Sequence, residues 1–208
     1  MTSPAPPLRR WLTLAIVTLT LVVADQYTKF LTVRHLTPAI EDALRKGELQ
    51  PGLTSELGYF YGQVRKPCRA RACSEVDVVD GFWSFHYREN PGAAFSFLHG
   101  ADEDFRIPFF VTTTLIALAG ILWYLRKLEA GQRLLGAALM LVFAGAIGNL
   151  IDRLYLGYVI DMIHWYVGSY SWPTFNVADS AISVGAVLLV LESILHREPA
   201  PAPASDPS

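Results

Sequence analysis

Four long apolar stretches divide the chain, and each approaches the length of a membrane-spanning helix. They cover Trp11–Val33, Ile107–Leu125, Leu134–Ile151 and about Ala181–Leu195. A spanning helix needs about 20 mostly apolar residues. The second and third stretches reach that length alone, but the first does so only with Asp25, Gln26 and Lys29 inside it. The fourth must begin near Ala178 or Asp179. The pattern predicts four transmembrane helices, two of them with polar side chains near one membrane face.

The first stretch also has an interpretation as a cleavable signal peptide. Arg9 and Arg10 would supply the positive segment ahead of an apolar run at 12–24. The sequence continues as DQYTKFLTV, which keeps helical periodicity, and no A-x-A cleavage site appears. We therefore expect a retained helix.

Composition and charge favour a small membrane protein. The 208 residues are 52% hydrophobic and only 17% charged, against about 25% charged in a typical soluble domain. The mean hydropathy is +0.31. The net charge of −2 provides no basic surface for nucleic acid. The positive-inside rule places both termini in the cytoplasm, because short basic segments lie at Arg9, Arg10, Arg126, Lys127, Arg133 and Arg197.

The remaining segments are two tails and two outer connections. Residues 1–10 and 197–208 are rich in Pro and Ala and are expected to be disordered cytoplasmic tails. Residues 11–196 form the four-span domain, with a polar insertion at 37–80 and a strand-prone aromatic segment at 81–89. The second connection is rich in Tyr and Trp, which favour the membrane interface. We predict an all-α four-helix transmembrane bundle with a small extracytoplasmic β-sheet platform.

Two aspartates stand out at the predicted outer ends of the spans. Asp161 lies in the apolar segment VIDMI, and Asp179 lies at the start of the fourth span. Pro173 separates them, so one continuous helix cannot carry both, but they flank a short connection and can converge. Two facing carboxyl groups share a proton. In that state one can activate water while the other polarises a peptide carbonyl. The structural alternatives are an interfacial salt bridge or a cap, with Asp179 as a good N-cap.

Four motifs occur in order along the chain. They are DQYTK at 25–29, NPGAAFSFL at 90–98, AGAIGNLIDRLYLGYVIDMI at 144–163 and FNVADSAIS at 175–183. Each lies at the outer end of a predicted span, and together they resemble signal peptidase II, the bacterial lipoprotein signal peptidase family. The resemblance covers roughly residues 10–36 and 82–196. It implies a four-helix protein of the bacterial inner membrane, with cytoplasmic termini, a small periplasmic sheet and an active site near the periplasmic face.

The resemblance also implies an activity. The family consists of aspartic endopeptidases that remove the signal peptide of prolipoproteins, just before a Cys that already carries a diacylglyceryl group, and the antibiotic globomycin blocks them. The catalytic aspartates of the family fall on Asp161 and Asp179, with no metal and no cofactor. Expected partners are lipidated prolipoproteins and membrane lipids; a monomer is favoured. Further family positions, assigned to substrate binding, fall on Asn90, Gly92, Asn149, Arg153, Asn176, Asp25 and Lys29.

Several of these positions have a structural alternative. Asn149, Arg153 and Asn176 either position substrate carbonyls and lipid esters or cap and pair at helix ends, with Arg153 next to Asp152. Asp25 and Lys29 share a helix face, so they are expected mainly to pair and snorkel.

For the small residues and the turn residues, a functional role and a purely structural role also remain as alternatives. Asn90 and Gly92 form a turn that either brings the sheet over the site or is only a turn. Gly145 and Gly148 favour close helix packing.

The insertion at 37–80 departs from short family members. Its two cysteines, Cys68 and Cys73, are expected either to form a disulfide in an oxidising compartment or to remain free thiols. The insertion is expected either to cover the active site or to contact other envelope proteins.

Two other classes of protein stay open at this point. A non-enzymatic transporter or scaffold would usually carry polar groups at the membrane midplane, whereas here they lie at one face. A metal-dependent membrane enzyme lacks an obvious ligand set, because the five histidines are scattered without an H-x-x-x-H pair.

Overall fold

Long helices and a small antiparallel sheet make up the fold. The computed structural model describes residues 8–64, 67–68, 73–92, 102–129 and 131–195. Of the predicted tails, residues 1–7 and 197–208 lie outside the described residues, as do residue 196 and motif residues 93–98. Residues 8–10, which were predicted to be part of a disordered tail, are instead helical. The elements in order are α1 (Leu8–Leu36), α2 (Ala39–Arg45), α3 (Leu53–Gly62), β1 (Glu75–Val79), β2 (Trp83–Asn90), α4 (Glu103–Lys127), α5 (Arg133–Tyr155), β3 (Val159–Val167), β4 (Tyr170–Ser171) and α6 (Val177–Leu195).

The four predicted spans are confirmed. Within the described residues, α1, α4, α5 and α6 are each long and apolar enough to cross a membrane. Helix α1 continues without a break through Asp25, Gln26 and Lys29 for 29 residues. Helix α6 begins at Val177, so Asp179 belongs to its first turn. Helix α5 packs against α1, α4 and α6 and is the central helix of the bundle.

Glycines allow α5 and α6 to approach at backbone distance. A Cβ atom added at Gly145 would lie 2.4 Å from the Ala178 carbonyl oxygen. A Cβ added at Gly185 on the facing helix would lie 2.8 Å from the Ala138 carbonyl oxygen. The close packing expected around Gly145 is therefore present, and it brings the start of α6 against the end of α5.

The sheet has the order β1-β2-β3-β4 and is antiparallel throughout. The strand predicted in the aromatic segment at 81–89 is confirmed as β2. Its register with β3 pairs Arg88 with Asp161 and Asn90 with Val159. This pairing brings the end of β2 to the start of β3. We refer to the four strands, together with the adjoining ends of α1, α5 and α6, as the sheet end of the bundle.

The insertion at 37–80 is more ordered than its mixed composition indicates. It contains α2, α3 and β1, three elements that the sequence pattern did not predict. Helix α2 begins after Pro38 and α3 after Gly52, whose φ of +143° suits glycine. Cys68 and Cys73 form a disulfide.

The insertion packs on the sheet end of the bundle. Phe60 of α3 is completely buried and lies in one apolar cluster with Phe30 of α1. Ile160 and Met162 of β3 belong to the same cluster. The Ser74 amide also donates a hydrogen bond to the Leu36 carbonyl oxygen, at 2.8 Å. The insertion thus supports the strand that carries Asp161.

Candidate active site

The N-terminus of α6 presents Asp179 through a reciprocal capping arrangement. The Asp179 amide donates to Asn176 Oδ1 at 2.8 Å. In return, the Asn176 amide donates to Asp179 Oδ2 at 3.3 Å. This is a capping box with Asn176 as the N-cap residue. The expectation that Asp179 is the N-cap is therefore wrong: Asp179 is the third helical residue, and its side chain stays on the site.

Asp161 lies on β3 and is held by two amide side chains. Asn176 Nδ2 donates to its Oδ1 at 2.8 Å, and Asn90 Nδ2 donates to its Oδ2 at 3.0 Å. The side chain is only 3% exposed. Burial, followed by the negative charge of Asp179, raises the pKa of Asp161 to about 7. Asp161 therefore binds a proton far more readily than an ordinary carboxyl group.

Asn176 joins the two aspartates. Its side-chain nitrogen contacts Asp161, while its backbone nitrogen and its side-chain oxygen both contact Asp179. Asn149 adds a second link, because its Nδ2 donates to Asp179 Oδ1 at 2.7 Å and its Oδ1 accepts from Asn176 Nδ2 at 3.2 Å. The structure thus brings together Asp161 of β3, Asp179 of α6, Asn149 of α5 and Asn176, the residue that precedes α6.

A buried ionic cluster lies beneath this pair. Lys29 Nζ contacts Asp25 Oδ2 at 2.8 Å, Asp152 Oδ2 at 2.9 Å and Asn149 Oδ1 at 3.2 Å. These contacts use all three ammonium protons. Lys29 is fully buried, so the expected pairing with Asp25 is present but the expected snorkelling is wrong. Asp152 contacts Lys29, so the expected pairing of Arg153 with Asp152 is not what the structure shows.

The cluster also fixes the backbone immediately before each aspartate of the pair. Asp25 Oδ1 accepts a hydrogen bond from the Ala178 amide at 2.9 Å. Asp152 Oδ2 accepts one from the Ile160 amide at 3.0 Å. Ala178 precedes Asp179, and Ile160 precedes Asp161. One buried lysine therefore contacts both carboxylates that position the two segments of the site.

Gln26 and Tyr61 complete the cluster, and the sequence analysis assigned neither to the site. Gln26 Nε2 donates to Asp152 Oδ1 at 2.8 Å and to the Gly148 carbonyl oxygen at 3.1 Å. Its Oε1 accepts from the Tyr61 hydroxyl at 2.9 Å. Gln26 lies inside the DQYTK motif, which could have identified it. Tyr61 lies in the insertion, and no local pattern connects it to a helix 35 residues away.

Arg153, Asn90 and Gly92 line one side of the site. The Gly92 amide donates to Asn90 Oδ1 at 3.2 Å, which makes an Asx turn at the end of β2. Arg153 donates to the Gly92 carbonyl oxygen at 2.9 Å and to the Asn149 carbonyl oxygen at 3.2 Å. Its guanidinium lies 4.8 Å from the centre of the Phe110 ring. The Asn90 turn is therefore part of the Asp161 environment and not a turn alone.

Comparison with known proteins identifies a family. The family profile described as Signal peptidase (SPase) II matches residues 17–195. A protein of Anaeromyxobacter sp. (strain Fw109-5) named lipoprotein signal peptidase is 45% identical over 91% of this chain and 88% of its own length. A protein of the same name from Geobacter sulfurreducens is 52% identical over 57% of this chain and 73% of its own length.

Solved structures show the same fold. Two structures described as bacterial membrane enzymes, determined by the in meso method at 2.3 Å and 1.9 Å resolution, are each 24% identical to this chain. The first has a TM-score of 0.62 and covers 91% of this chain and 93% of its own. The second has a TM-score of 0.63, with coverages of 89% and 94%. The four-helix architecture with its small sheet is thus an established membrane-enzyme fold.

Proposed function

This chain belongs to the signal peptidase II family, and on that premise we propose that Asp161 and Asp179 are its catalytic residues. Its function is the cleavage of lipoprotein signal peptides, its substrates are prolipoproteins, and it is a multi-pass membrane peptidase. Our proposal concerns the aspartic mechanism, the residues that carry it and the side of the membrane on which it acts.

The single observation that carries the proposal is the bridge made by Asn176 between the two carboxyl groups. Asn176 donates to both carboxyl groups, from its side-chain Nδ2 to Asp161 and from its backbone amide to Asp179, so one residue holds the two side chains next to each other. Two carboxyl groups in such a site cannot both ionise without repulsion, so they share a proton. The raised pKa of Asp161, about 7, makes it the holder of that proton at neutral pH.

The first chemical step follows from this proton distribution. Ionised Asp179, which is less buried than Asp161, takes a proton from a water molecule as its oxygen attacks the scissile carbonyl carbon. Protonated Asp161 gives its proton to the carbonyl oxygen. The product is a neutral tetrahedral diol, with the proton now on Asp179 and the charge on Asp161.

The second step releases the products. The proton on Asp179 passes to the amide nitrogen of the residue after the cut, the carbon–nitrogen bond breaks, and that nitrogen leaves as an amine. Asp161 recovers a proton from one diol hydroxyl, and the new carboxyl terminus of the signal peptide forms. The pair then returns to its starting state with one shared proton.

We divide the other seven positions into two roles. Asn90, Gly92 and Arg153 lie beside the two carboxyl groups and are assigned to substrate binding. Asn149 and Asn176, which are 7% and 0% exposed, hold the carboxyl groups in place and are assigned as positioning residues. Asp25 and Lys29 are 1% and 0% exposed, so a substrate cannot reach them. They are assigned as positioning residues, acting through the Ala178 amide and through Asn149.

The placement in the membrane completes the proposal. Basic residues at the end opposite the sheet favour cytoplasmic termini, which puts the sheet end at the periplasmic face of the bacterial inner membrane. The substrate is then a prolipoprotein whose diacylglyceryl-modified Cys follows the cut. The signal-peptide helix of the substrate enters the site laterally from the bilayer. The peptidase domain spans residues 11–196 and works as a monomer.

The test is cleavage of a lipidated preprolipoprotein by the purified protein. Asp161→Asn and Asp179→Asn should each abolish cleavage while keeping the thermal unfolding transition of a folded protein. Glu192→Gln, a carboxyl change far along α6, is the matched control and should retain activity. Near-normal turnover by Asp161→Asn or Asp179→Asn would exclude the catalytic assignment. If the parent protein itself cut no lipidated substrate, a non-enzymatic role would be supported.

A further inference from the structure

Two histidines that are far apart in sequence meet on the sheet. His86 of β2 and His164 of β3 stack with their ring centres 4.6 Å apart. Strand pairing brings them together, since β2 and β3 are antiparallel neighbours. Glu75 of β1 lies opposite His86 in the next strand pair. Three adjacent strands therefore each contribute one side chain with metal-ligand chemistry to a single place.

The donor atoms of these three side chains point at one another. Glu75 Oε1 lies 3.7 Å from His86 Nδ1 and 3.8 Å from His164 Nδ1. All three ligand atoms lie within 4.8 Å of one another. Zinc holds nitrogen and oxygen ligands at roughly 2.0–2.2 Å in a tetrahedron, which sets neighbouring donors about 3.3–3.5 Å apart. The two distances from Glu75 would have to shorten by a few tenths of an ångström, and the separation of the two imidazole nitrogens by up to about 1.5 Å, to reach that geometry.

The outer nitrogen of each ring is already held by a hydroxyl group. His86 Nε2 lies 2.9 Å from Thr174 Oγ1, and His164 Nε2 lies 2.6 Å from Ser171 Oγ. A histidine that donates its Nε2 proton to such a partner presents a lone pair at Nδ1, which is the usual support of a metal-bound imidazole. The Ser84 hydroxyl donates to Glu75 Oε1 at 2.6 Å and orients the carboxylate. The same hydroxyl oxygen lies 3.3 Å from His164 Nδ1, so an incoming ion would replace that contact.

The site is open enough for an ion to enter. The Glu75 side chain is 52% exposed, whereas His86 and His164 are 14% and 18% exposed. A carboxylate at the rim with two half-buried imidazoles below it leaves a fourth position that faces solvent and that water can fill. Two imidazoles with one carboxylate suit zinc or a similar transition metal better than calcium or magnesium, which prefer oxygen ligands.

We propose that Glu75, His86 and His164 form a binding site for a divalent transition metal, with zinc as the best match. The ion ties β1 and β2 to β3, the strand on which Asp161 lies three residues before His164. The site is separate from the reaction chemistry, so its existence does not depend on the catalytic assignment. Loading should stiffen the sheet and leave cleavage largely unchanged.

Direct binding tests this proposal on the full chain in detergent. The protein carries no polyhistidine tag, keeps its Cys68–Cys73 disulfide oxidised and is stripped with a chelator before titration with zinc chloride. Calorimetry and elemental analysis should give one zinc per chain, with a Kd on the order of 1 μM, and zinc should raise the Tm. Cobalt should give the visible absorption of a four-coordinate ion.

Variants separate this site from adventitious binding. Glu75→Gln changes an exposed side chain with little effect on shape, and His164→Ala removes a ring; each should weaken zinc binding at least about tenfold. His35→Ala, an exposed histidine on α1, is the control and should bind as the parent does. The proposal is overturned if binding is not saturable, if Glu75→Gln and His164→Ala bind like the parent, or if magnesium binds equally well.

Discussion

Asn149 and Asp179 are joined by a 2.7 Å hydrogen bond in which the amide nitrogen of Asn149 donates to Oδ1 of Asp179. The other atom of the same amide, Oδ1, accepts from Lys29 and from Asn176. One side chain on α5 therefore connects the buried lysine to the more accessible aspartate. This arrangement fixes the orientation of the amide, since only one flip state satisfies all three neighbours.

Removing this amide should weaken catalysis more than folding. Asn149→Ala deletes a hydrogen bond to a charged group, a loss of about 1.5–3 kcal/mol. We expect kcat/KM to fall roughly 10–100-fold when cleavage of a lipidated preprolipoprotein is followed. Ser193→Ala, which changes an exposed side chain near the other end of α6, is the control. Turnover by Asn149→Ala equal to that of the parent would contradict the positioning role.

The pH profile should reveal the proton held by Asp161. Because its pKa is raised to about 7, the singly protonated pair is lost as the pH rises through that value, and kcat/KM should decline there. Asn90 donates to Asp161 and lowers its pKa, so Asn90→Ala should move the alkaline decline to higher pH. An unmoved or acid-shifted decline would contradict the assignment.

Unfolding gives an independent check on the same group. A carboxyl group whose folded pKa lies above its unfolded value of about 3.9 stabilises the fold at low pH. That stabilisation disappears as the pH rises from about 4 through about 7. Asp161→Asn should therefore flatten the pH dependence of Tm across this interval and raise the Tm at alkaline pH relative to the parent.

The buried lysine should be among the most sensitive positions for stability. Lys29→Met leaves Asp25 and Asp152 buried without their cation, a loss of about 3–5 kcal/mol in the free energy of unfolding. Thermal unfolding in detergent measures it. Lys46→Met, at an exposed position after α2, should change the Tm little. Adding Asp152→Asn to Lys29→Met should recover part of the loss, and an equal effect of both lysine changes would argue against the ionic cluster.

Helix approach at Gly145 should control the position of α6. Gly145→Ala places a methyl group 2.4 Å from the Ala178 carbonyl oxygen, so the helices must separate and the Asn176 bridge must shift. We expect both lower Tm and lower kcat. Gly120→Ala on α4, where nothing lies within 4 Å of the added carbon, is the matched control. It should be neutral or stabilising, because alanine is the better helix former by about 1 kcal/mol.

The insertion should influence the site through Tyr61. Tyr61→Phe removes the hydrogen bond to Gln26 Oε1 and leaves that buried oxygen unsatisfied, a cost of about 1–3 kcal/mol. Tm should fall, with a smaller decrease in kcat than Asn149→Ala produces. Tyr59→Phe, two positions earlier on α3, is the control for loss of a hydroxyl alone. If the two variants unfold at the same temperature, the insertion does not act through this contact.

The site residues were only partly predictable from the chain. Asp161 and Asp179 are conspicuous because a carboxylate near hydrocarbon is costly wherever the chain places it. The cap at α6 was assigned to Asp179 because both Asn and Asp are good N-cap residues, and pattern alone could not choose between Asn176 and Asp179. The choice follows from the start of α6 at Val177, which makes Asn176 the residue before the helix.

The sequence by itself determined the four spans, their polar ends and the segment that forms β2, because hydropathy and strand propensity are properties of neighbouring residues. Only the tertiary structure decided that Lys29 is buried between Asp25 and Asp152, that Tyr61 reaches Gln26, and that His86 meets His164. Those contacts arise from helix packing and strand pairing between distant segments, and their free energy comes from burial that no local window of sequence contains.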